Sequence, residues 1–427
     1  MRKRSYITRC ILGGIPAMEL AGVAVAFGSI MYLISKSVSL GLAFLIGTGI
    51  VGLFAGLGLQ GFLSTVLQGI FDPMTMQLVI AVVLISGLGK LMKESGDLSL
   101  MVGSLVAIFR NPKMLSMMLP ALVGTLNVPG GAIMSTPMVE ENGKILGLDA
   151  TTKSAINVFS RHIGYFVYPL YASTIILSEL LDVQKLVLIR HNVITMLVGI
   201  AVAYLSFFRG VGHQQRTSEG DKRTFYHIKC FLSGFSPILT ALGLVLFFET
   251  PFYIAVTIGV ALGLVRGLPA GDRRGALIVR LRKFFTEWID YRLVLTITGL
   301  MAFKAVIEAS GVVGILADIL LGFGIPLPMI VVIMGLIASL LTGAHMAAAG
   351  ILATLFAPLF PVGLVAPYTS LLFTTIMLGY LVSPIHLCLV LTNQYFGVKY
   401  PSVLRKLLPP VLVMMAVAVV QLLWRIR

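Results

Sequence analysis

The chain has 427 residues, 58% of them hydrophobic and 11% charged, and a mean hydropathy of +0.99, which excludes a soluble globular domain and marks an integral membrane protein. The formal charge of +15 does not indicate nucleic acid as a partner, because Lys and Arg sit in short loops between apolar runs, where they serve as topology signals. Cys10, Cys230 and Cys388 are scattered, a pattern that makes neither a disulfide framework nor a metal site.

Apolar stretches long enough to cross the hydrocarbon core, about 18 residues or more, fall at 16–35, 38–58 and 74–92. A polar bend, a broken apolar segment at 114–138 and spans at 154–180 and 186–208 follow. After a basic stretch at 209–229 come runs at 230–249, 252–266 and 290–308, a broken segment at 326–358, and spans at 369–393 and 407–424.

A single constant shift, the one that carries Ser95 onto Ser310, lays the second series on the first. Ser95-Gly96 falls on Ser310-Gly311, and Asn127-Val128-Pro129-Gly130-Gly131-Ala132 falls on Thr342-Gly343-Ala344-His345-Met346-Ala347. Gly164-Tyr165-Phe166-Val167-Tyr168-Pro169 falls on Gly379-Tyr380-Leu381-Val382-Ser383-Pro384. In a membrane chain, so long a period indicates two copies of one transporter half.

The expected organisation is repeat 1 at 1–208, a cytoplasmic basic linker at 209–229, and repeat 2 at 230–427. Repeat 1 holds scaffold spans within 16–92, a re-entrant hairpin at 114–138 and a broken span at 154–180; repeat 2 holds scaffold spans within 230–308, a hairpin at 326–358 and a broken span at 369–393. Five crossings per half is an odd number, so the second copy is inverted. Charge counting agrees: with both termini outside, 22 of the 32 basic residues fall on the cytoplasmic side and 7 on the other, Arg161, Arg190 and Lys304 lying within spans. Arg2-Lys3-Arg4 is the exception. The first apolar run opens a repeat, which argues against a signal peptide. The fold class expected is an all-α polytopic membrane protein with two inverted-topology repeats, about ten transmembrane helices, two re-entrant helical hairpins and discontinuous helices after each hairpin.

Residues 114–138 contain Pro120, Gly124, Asn127, Pro129, Gly130, Gly131 and Pro137. Proline lacks an amide donor and glycine is weakly helical, so Pro-Gly-Gly breaks the helix. In lipid each freed backbone group costs several kcal/mol, so such a break survives only inside protein or beside a wet cavity. The hairpin tip is therefore placed at Asn127 to Gly131, where the helix beginning after it turns free N–H groups and a positive dipole end toward an anion. Thr342, Gly343 and His345 form the second tip, and Ala347, Ala348, Ala349 and Gly350 make its return arm small enough to pack closely. Ordinary kinks in ordinary spans are the alternative.

Pro169 and Pro384 are expected to interrupt the next spans about one turn beyond Tyr165 and Tyr380. Tyr168, Ser173 and Thr174 in one copy, and Ser383, Thr392 and Asn393 in the other, could coordinate Na⁺ or orient a ligand, or bond back to their own helices. Arg161-His162 has no charged equivalent in repeat 2, where Ile376-Met377 stands. Arg161 could hold a carboxylate bidentately with His162 as a hydrogen-bonding or protonatable partner, or reach to the membrane edge. His345 and His386 are either functional or packing histidines. None of the 17 acidic residues falls at a tip or beside Gly-Tyr-x-Val-x-Pro, so no carboxylate proton carrier is evident; Na⁺ on carbonyls and hydroxyls, or a proton on histidine, stays open.

At these residues the chain is similar to the ion transporter superfamily of citrate, gluconate, dicarboxylate and TRAP large-subunit permeases. It more closely resembles the membrane family known as domain of unknown function 401, through Leu119-Pro120-Ala121-Leu122, Pro129-Gly130-Gly131-Ala132, Pro137-Met138-Val139-Glu140, Arg161-His162 and the run Ser383-Pro384-Ile385-His386-Leu387-Cys388-Leu389-Val390-Leu391-Thr392. The resemblance implies an elevator mechanism, in which hairpins and broken spans carry a site past a scaffold. The Ser-Asn-Thr tip motif of the sodium-dicarboxylate branch is absent. Asn127-Val128-Pro129 and Thr342-Gly343-Ala344 stand in its place.

The expected activity is secondary transport of a small organic anion across the cytoplasmic membrane, with Na⁺ or H⁺ as coupling ion and no cofactor. A membrane-embedded enzyme or an ion channel is the alternative, although no His-Glu-x-x-His and no filter-like run of carbonyls is present. Besides the anion and the lipid bilayer, a homodimer partner and a soluble binding subunit stay open. The residues expected to bind substrate are Asn127, Pro129, Gly130, Gly131, Arg161, His162, Tyr168, Thr342, Gly343, His345, Ser383 and His386.

Overall fold

The computed structural model describes residues 15–36, 38–109, 111–125, 131–212, 224–248, 250–269, 271–311 and 325–426. Among these residues the chain is all helical, with 19 α-helices. The first ten are α1 (Ile15–Ser35), α2 (Leu40–Phe54), α3 (Gly58–Phe71), α4 (Pro73–Glu94), α5 (Asp97–Ile108), α6 (Pro112–Thr125), α7 (Gly131–Ile145), α8 (Ala150–Ile163), α9 (Ala172–Leu180) and α10 (Lys185–Phe207). The remainder are α11 (Thr224–Phe247), α12 (Phe252–Val265), α13 (Arg273–Lys283), α14 (Arg292–Ala309), α15 (Leu327–Thr342), α16 (His345–Phe356), α17 (Val365–Leu381), α18 (Leu387–Phe396) and α19 (Tyr400–Ile426).

Helix starts follow local chemistry. Asp72 caps α4 by accepting from the Met74 and Thr75 amides at 2.9 and 3.4 Å, with Pro73 at the first helical position. Asp149 caps α8 through the Thr152 amide at 2.8 Å. Several starts recur at the shift that relates the two sequence halves: Gly58 and Arg273, Pro112 and Leu327, Ala150 and Val365, Ala172 and Leu387, Lys185 and Tyr400. The repeated Ser-Gly pair has a backbone reason, since Gly96 and Gly311 both have positive φ, +81° and +70°, just past helix ends.

Three elements differ from the sequence expectation. The short helices α3 and α13 occupy equivalent positions where only a span end and a basic loop were expected. Neither buries a residue fully; α3 is apolar but only 14 residues long, and α13 is basic, so neither reads as a span. Helix α7 also extends to Ile145 rather than stopping near 138, its polar end being held helical by a Glu140–Lys144 pair at 2.8 Å, four residues apart.

Four helices are long and apolar enough to cross a bilayer, namely α4, α10, most of α11, and α19, and shorter apolar helices accompany them. The chain is thus a multi-pass helical membrane protein. Leu197, Leu205, Leu412 and Val420 on the outer faces of α10 and α19 remain exposed, as expected of surfaces that meet lipid tails.

Packing divides the helices into two bundles. In one, α2 lies against α1 and α14, α4 against α12 and α14, and α11 against α5 and α12. In the other, α6 packs on α7 and α8, α15 on α16 and α17, and α10 and α19 pack together against α8 and α17. Contacts come in exchanged pairs: α9 lies on α16 as α18 lies on α7, and α2 lies on α14 as α12 lies on α4. The bundles touch mainly where α1 meets α15, α14 meets α16 and α4 meets α9, and where the chain passes from α5 to α6. A cleft of about 390 Å³ opens at this boundary, bordered by Gln77, Ser178, Glu179, Lys185 and Phe252. It contains a Glu179–Lys185 ion pair at 2.6 Å.

Candidate functional site

Both α8 and α17 end inside the second bundle, and neither continues straight on. After Ile163 the chain makes a 3-10 turn over Gly164–Phe166 and runs irregularly through Pro169 before α9 begins. After Leu381 it runs irregularly through Pro384 before α18. Turn hydrogen bonds satisfy the freed backbone: Tyr171 N to Tyr168 O at 3.1 Å, and His386 N to Ser383 O at 3.1 Å. The Ser383 hydroxyl donates to the Leu340 carbonyl at 2.7 Å and so ties the second break to α15.

Between α15 and α16 the tip is built by Thr342, Gly343 and Ala344. Gly343 adopts φ +57°, and its amide bonds the Ser339 carbonyl at 2.9 Å. The Thr342 hydroxyl donates to Ala338 O at 2.7 Å and accepts from Ala344 N at 3.3 Å. A Cβ on Gly343 would lie 2.6 Å from Ile385 Cγ1, so the tip sits against the second break.

Six rings from the two breaks, the ends of α8 and α17 and this tip close into a circuit. Tyr165 stacks on Tyr171 at 3.6 Å between centroids, Tyr171 on His345 at 4.6 Å, and His345 meets Tyr380 edge-on at 4.8 Å. Tyr380 lies 3.9 Å from His386, His386 lies 4.7 Å from His162, and His162 lies 5.2 Å from Tyr165. The circuit has an internal symmetry, because the shift between the halves carries Tyr165 onto Tyr380 and Tyr171 onto His386. Val158 O, 2.6 Å from His162 Nδ1, fixes the proton on that nitrogen and leaves Nε2 as the acceptor. His345 Nδ1 contacts the Ser173 hydroxyl. Neither ring nitrogen of His386 has a hydrogen-bond partner of normal geometry, the Leu381 backbone being its neighbour.

Arg161 sits beside this circuit at 2% exposure, in hydrogen-bonding reach of Cys388, which itself reaches Tyr380 and the Ala132 backbone at the start of α7. The other buried charged side chain among the described residues is Asp97, which pairs with Arg266 at 3.2 Å in the first bundle. Burying a guanidinium within a span costs about 2.5–3.5 kcal/mol on insertion scales, so such residues mark function. The ligand-type atoms of His162, His386 and Cys388 lie within 4.8 Å of one another, yet the guanidinium on Cys388 makes the place a poor one for a metal cation. A divalent ion and Arg161 would share a single thiolate. The same charge suits an anion.

Behind the circuit a neutral network joins α7, α8 and α18. Asn157 accepts from Ser135 at 2.7 Å and donates to Ala132 O at 3.2 Å, Thr136 at 3.3 Å and Thr392 at 3.0 Å, while Ser154 donates to Asn393 at 2.6 Å. These bonds hold α7 against α8 and α18.

Of the residues expected from sequence, Arg161, His162, His345 and His386 come together. Thr342, Gly343 and Ser383 shape the backbone around them. Gly131 opens α7. Tyr168 is buried in the first break, and its ring is not part of the circuit. Asn127, Pro129 and Gly130 lie outside the described residues. Sequence reasoning missed Tyr165, Tyr171, Tyr380, Cys388 and Asn157 as site residues. Carrying the comparison of the two halves beyond the shared Gly-Tyr-x-Val-x-Pro motif would have paired Tyr171 with His386.

The fold has a relative among solved structures. The crystal structure of the Alcanivorax borkumensis YdaH transporter, described as having an unusual topology, is similar to this chain with a TM-score of 0.58 and 16% identity, over 93% of this chain and 98% of that one. No curated protein matches the sequence. The family described as protein of unknown function (DUF401) matches residues 20–424, and the chain belongs to that family.

Proposed function

We propose that this protein is a secondary active transporter that carries a small organic anion, a carboxylate, across the cytoplasmic membrane by an elevator-type motion. The observation that carries the reading is the buried Arg161 guanidinium at the meeting point of two broken spans and a helical tip. A guanidinium held inside a membrane bundle, beside tyrosine and histidine rings, offers the planar fork that takes a carboxylate bidentately.

The two halves are inverted repeats of five crossings each, with α6–α7 and α15–α16 as re-entrant hairpins entering from opposite faces and both termini outside. Matching helix starts, exchanged packing pairs and the asymmetry of basic residues support this arrangement. Likeness of fold to a protein called a transporter supports it further. The second bundle is the moving body, and its sparse boundary with the first, at α1–α15, α14–α16 and α4–α9, is the sliding surface. Gly350 on α16 presents no side chain there, since a Cβ would fall 2.4 Å from Leu300 Cδ1 on α14.

Thermal unfolding in detergent with a panel of carboxylates, with and without Na⁺, tests the binding step, because a ligand favouring the native state raises its apparent stability. Counterflow in proteoliposomes then tests transport. A carboxylate that stabilises the protein and exchanges saturably across the bilayer is the expected result; conductance without saturation would make the protein a channel.

A further inference from the structure

Resting on the transport reading above, we propose that His386 carries the proton that moves with the anion, so that uptake is proton-coupled and independent of Na⁺. Three imidazoles enter the ring circuit, and two are engaged: His162 Nδ1 on Val158 O at 2.6 Å, and His345 Nδ1 on the Ser173 hydroxyl. His386 is fully buried and both of its ring nitrogens lack a hydrogen-bond partner of normal geometry. A polar side chain in that condition is rare in a folded protein and signals a ligand or a proton that arrives during function.

Its surroundings set the order of events. His386 stands at the N-terminus of α18, where the helix dipole is positive and opposes a second positive charge. Around the circuit, α8 contributes Arg161 and His162; the first break, Tyr165 and Tyr171; α16, His345; α17, Tyr380; and α18, Cys388. Among these described residues only Arg161 carries a fixed charge, and it too opposes protonation of His386. A carboxylate entering beside Arg161 reverses the balance. A ring nitrogen of neutral His386 then takes one proton from water on the entry side, and the new N–H⁺ donates to the carboxylate. Departure of the anion on the far side restores the repulsion from Arg161 and the helix end, and the proton leaves to water there. Proton and anion thus promote each other's binding, and the coupling is reciprocal. Of the side chains named around the circuit, imidazole is the one that ordinarily titrates near neutral pH.

The test uses proteoliposomes of the full chain with labelled lactate, succinate and citrate as mono-, di- and tricarboxylate probes. Counterflow first identifies the probe that moves. An acid-outside pH gradient should then accumulate that probe at least tenfold over a proton-ionophore control, equally with and without Na⁺. His386→Gln should lose this accumulation at least tenfold, while His191→Gln on α10, whose Nδ1 lies 2.8 Å from Val187 O, keeps it. In unbuffered detergent solution the wild type should take up close to one proton per anion bound, which a merely structural His386 would not require. Accumulation that follows a Na⁺ gradient, ignores the pH gradient, or survives in His386→Gln overturns the inference and leaves the transport reading intact. Absence of counterflow for all three probes overturns both. Should His386→Gln fail to assemble, proton uptake by the wild type decides.

Discussion

Gly124→Ala probes the contact that positions Arg161. Gly124 lies in the last turn of α6, where an added Cβ would stand 2.2 Å from the Arg161 carbonyl oxygen and 3.2 Å from its carbon. Ordinary van der Waals contact begins near 3.4 Å, so α6 and α8 must part by about 1 Å. The obstructing atoms are backbone and cannot rotate away. Overpacking of this kind costs about 1–3 kcal/mol, and the better helix propensity of alanine returns at most about 1 kcal/mol. The net expectation is a loss of about 1–2 kcal/mol, seen as a fall of about 2–6 °C in apparent Tm at the few degrees per kcal/mol typical of mid-sized domains. Thermal unfolding in detergent measures it against Gly49→Ala and Gly103→Ala, where a Cβ meets nothing within 4 Å and stability should hold or rise slightly. Ligand-induced stabilisation should fall in Gly124→Ala alone, because Arg161 and His162 move with α8. If Gly124→Ala unfolds with the controls and keeps its ligand response, the close approach of α6 to α8 is wrong.

Arg161→Ala should abolish carboxylate uptake while leaving membrane insertion intact, and Arg161→Lys should not restore full activity, because a point charge replaces a planar fork; uptake at equal reconstituted protein checks both. Asp149→Ala should cost about 1 kcal/mol by removing the α8 cap, read as a lower Tm. Partial burial raises the Asp149 pKa, but hydrogen bonds from the Thr152 amide and hydroxyl, with Lys406 nearby, outweigh it and hold the carboxyl below its usual range. The folded-state pKa is thus depressed, so the cap's contribution is present above the unfolded value and lost as pH falls through the lowered one, an acid limb that Asp149→Asn should weaken. Ser383→Ala removes the bond to Leu340 O at 2.7 Å and should cost about 0.5–1.5 kcal/mol, with a matching loss in ligand response if the second break shifts.

Much of the architecture was legible because lipid punishes irregular backbone, so the places where the chain breaks stand out in sequence. Pro169 and Pro384 lie in the breaks after α8 and α17, and Gly343 takes the left-handed conformation at the tip that the repeat alignment singled out. Arg161, His162, His345 and His386 were legible for a related reason, since polar groups in apolar runs are few. The tyrosines were not, because Tyr165, Tyr171 and Tyr380 are ordinary residues of an apolar span until the two halves fold face to face. Cys388 looked like a lone thiol, and only folding brings Arg161 to it from the opposite half of the chain. Helix α13 escaped notice because its residues are largely basic, and α3 because its 14 residues are too few to cross a bilayer and lie between two longer apolar runs.

The account turns on one bundle carrying the Arg161 site past the other. Leu300→Cys combined with Gly350→Cys places two thiols across the α14–α16 contact, where the glycine and leucine now meet. Joining them with a cleavable bifunctional thiol reagent in proteoliposomes and then measuring carboxylate counterflow tests the motion directly. The account predicts that the joined protein still binds its anion but does not exchange it, and that reduction restores exchange. Full counterflow across an intact cross-link would contradict it.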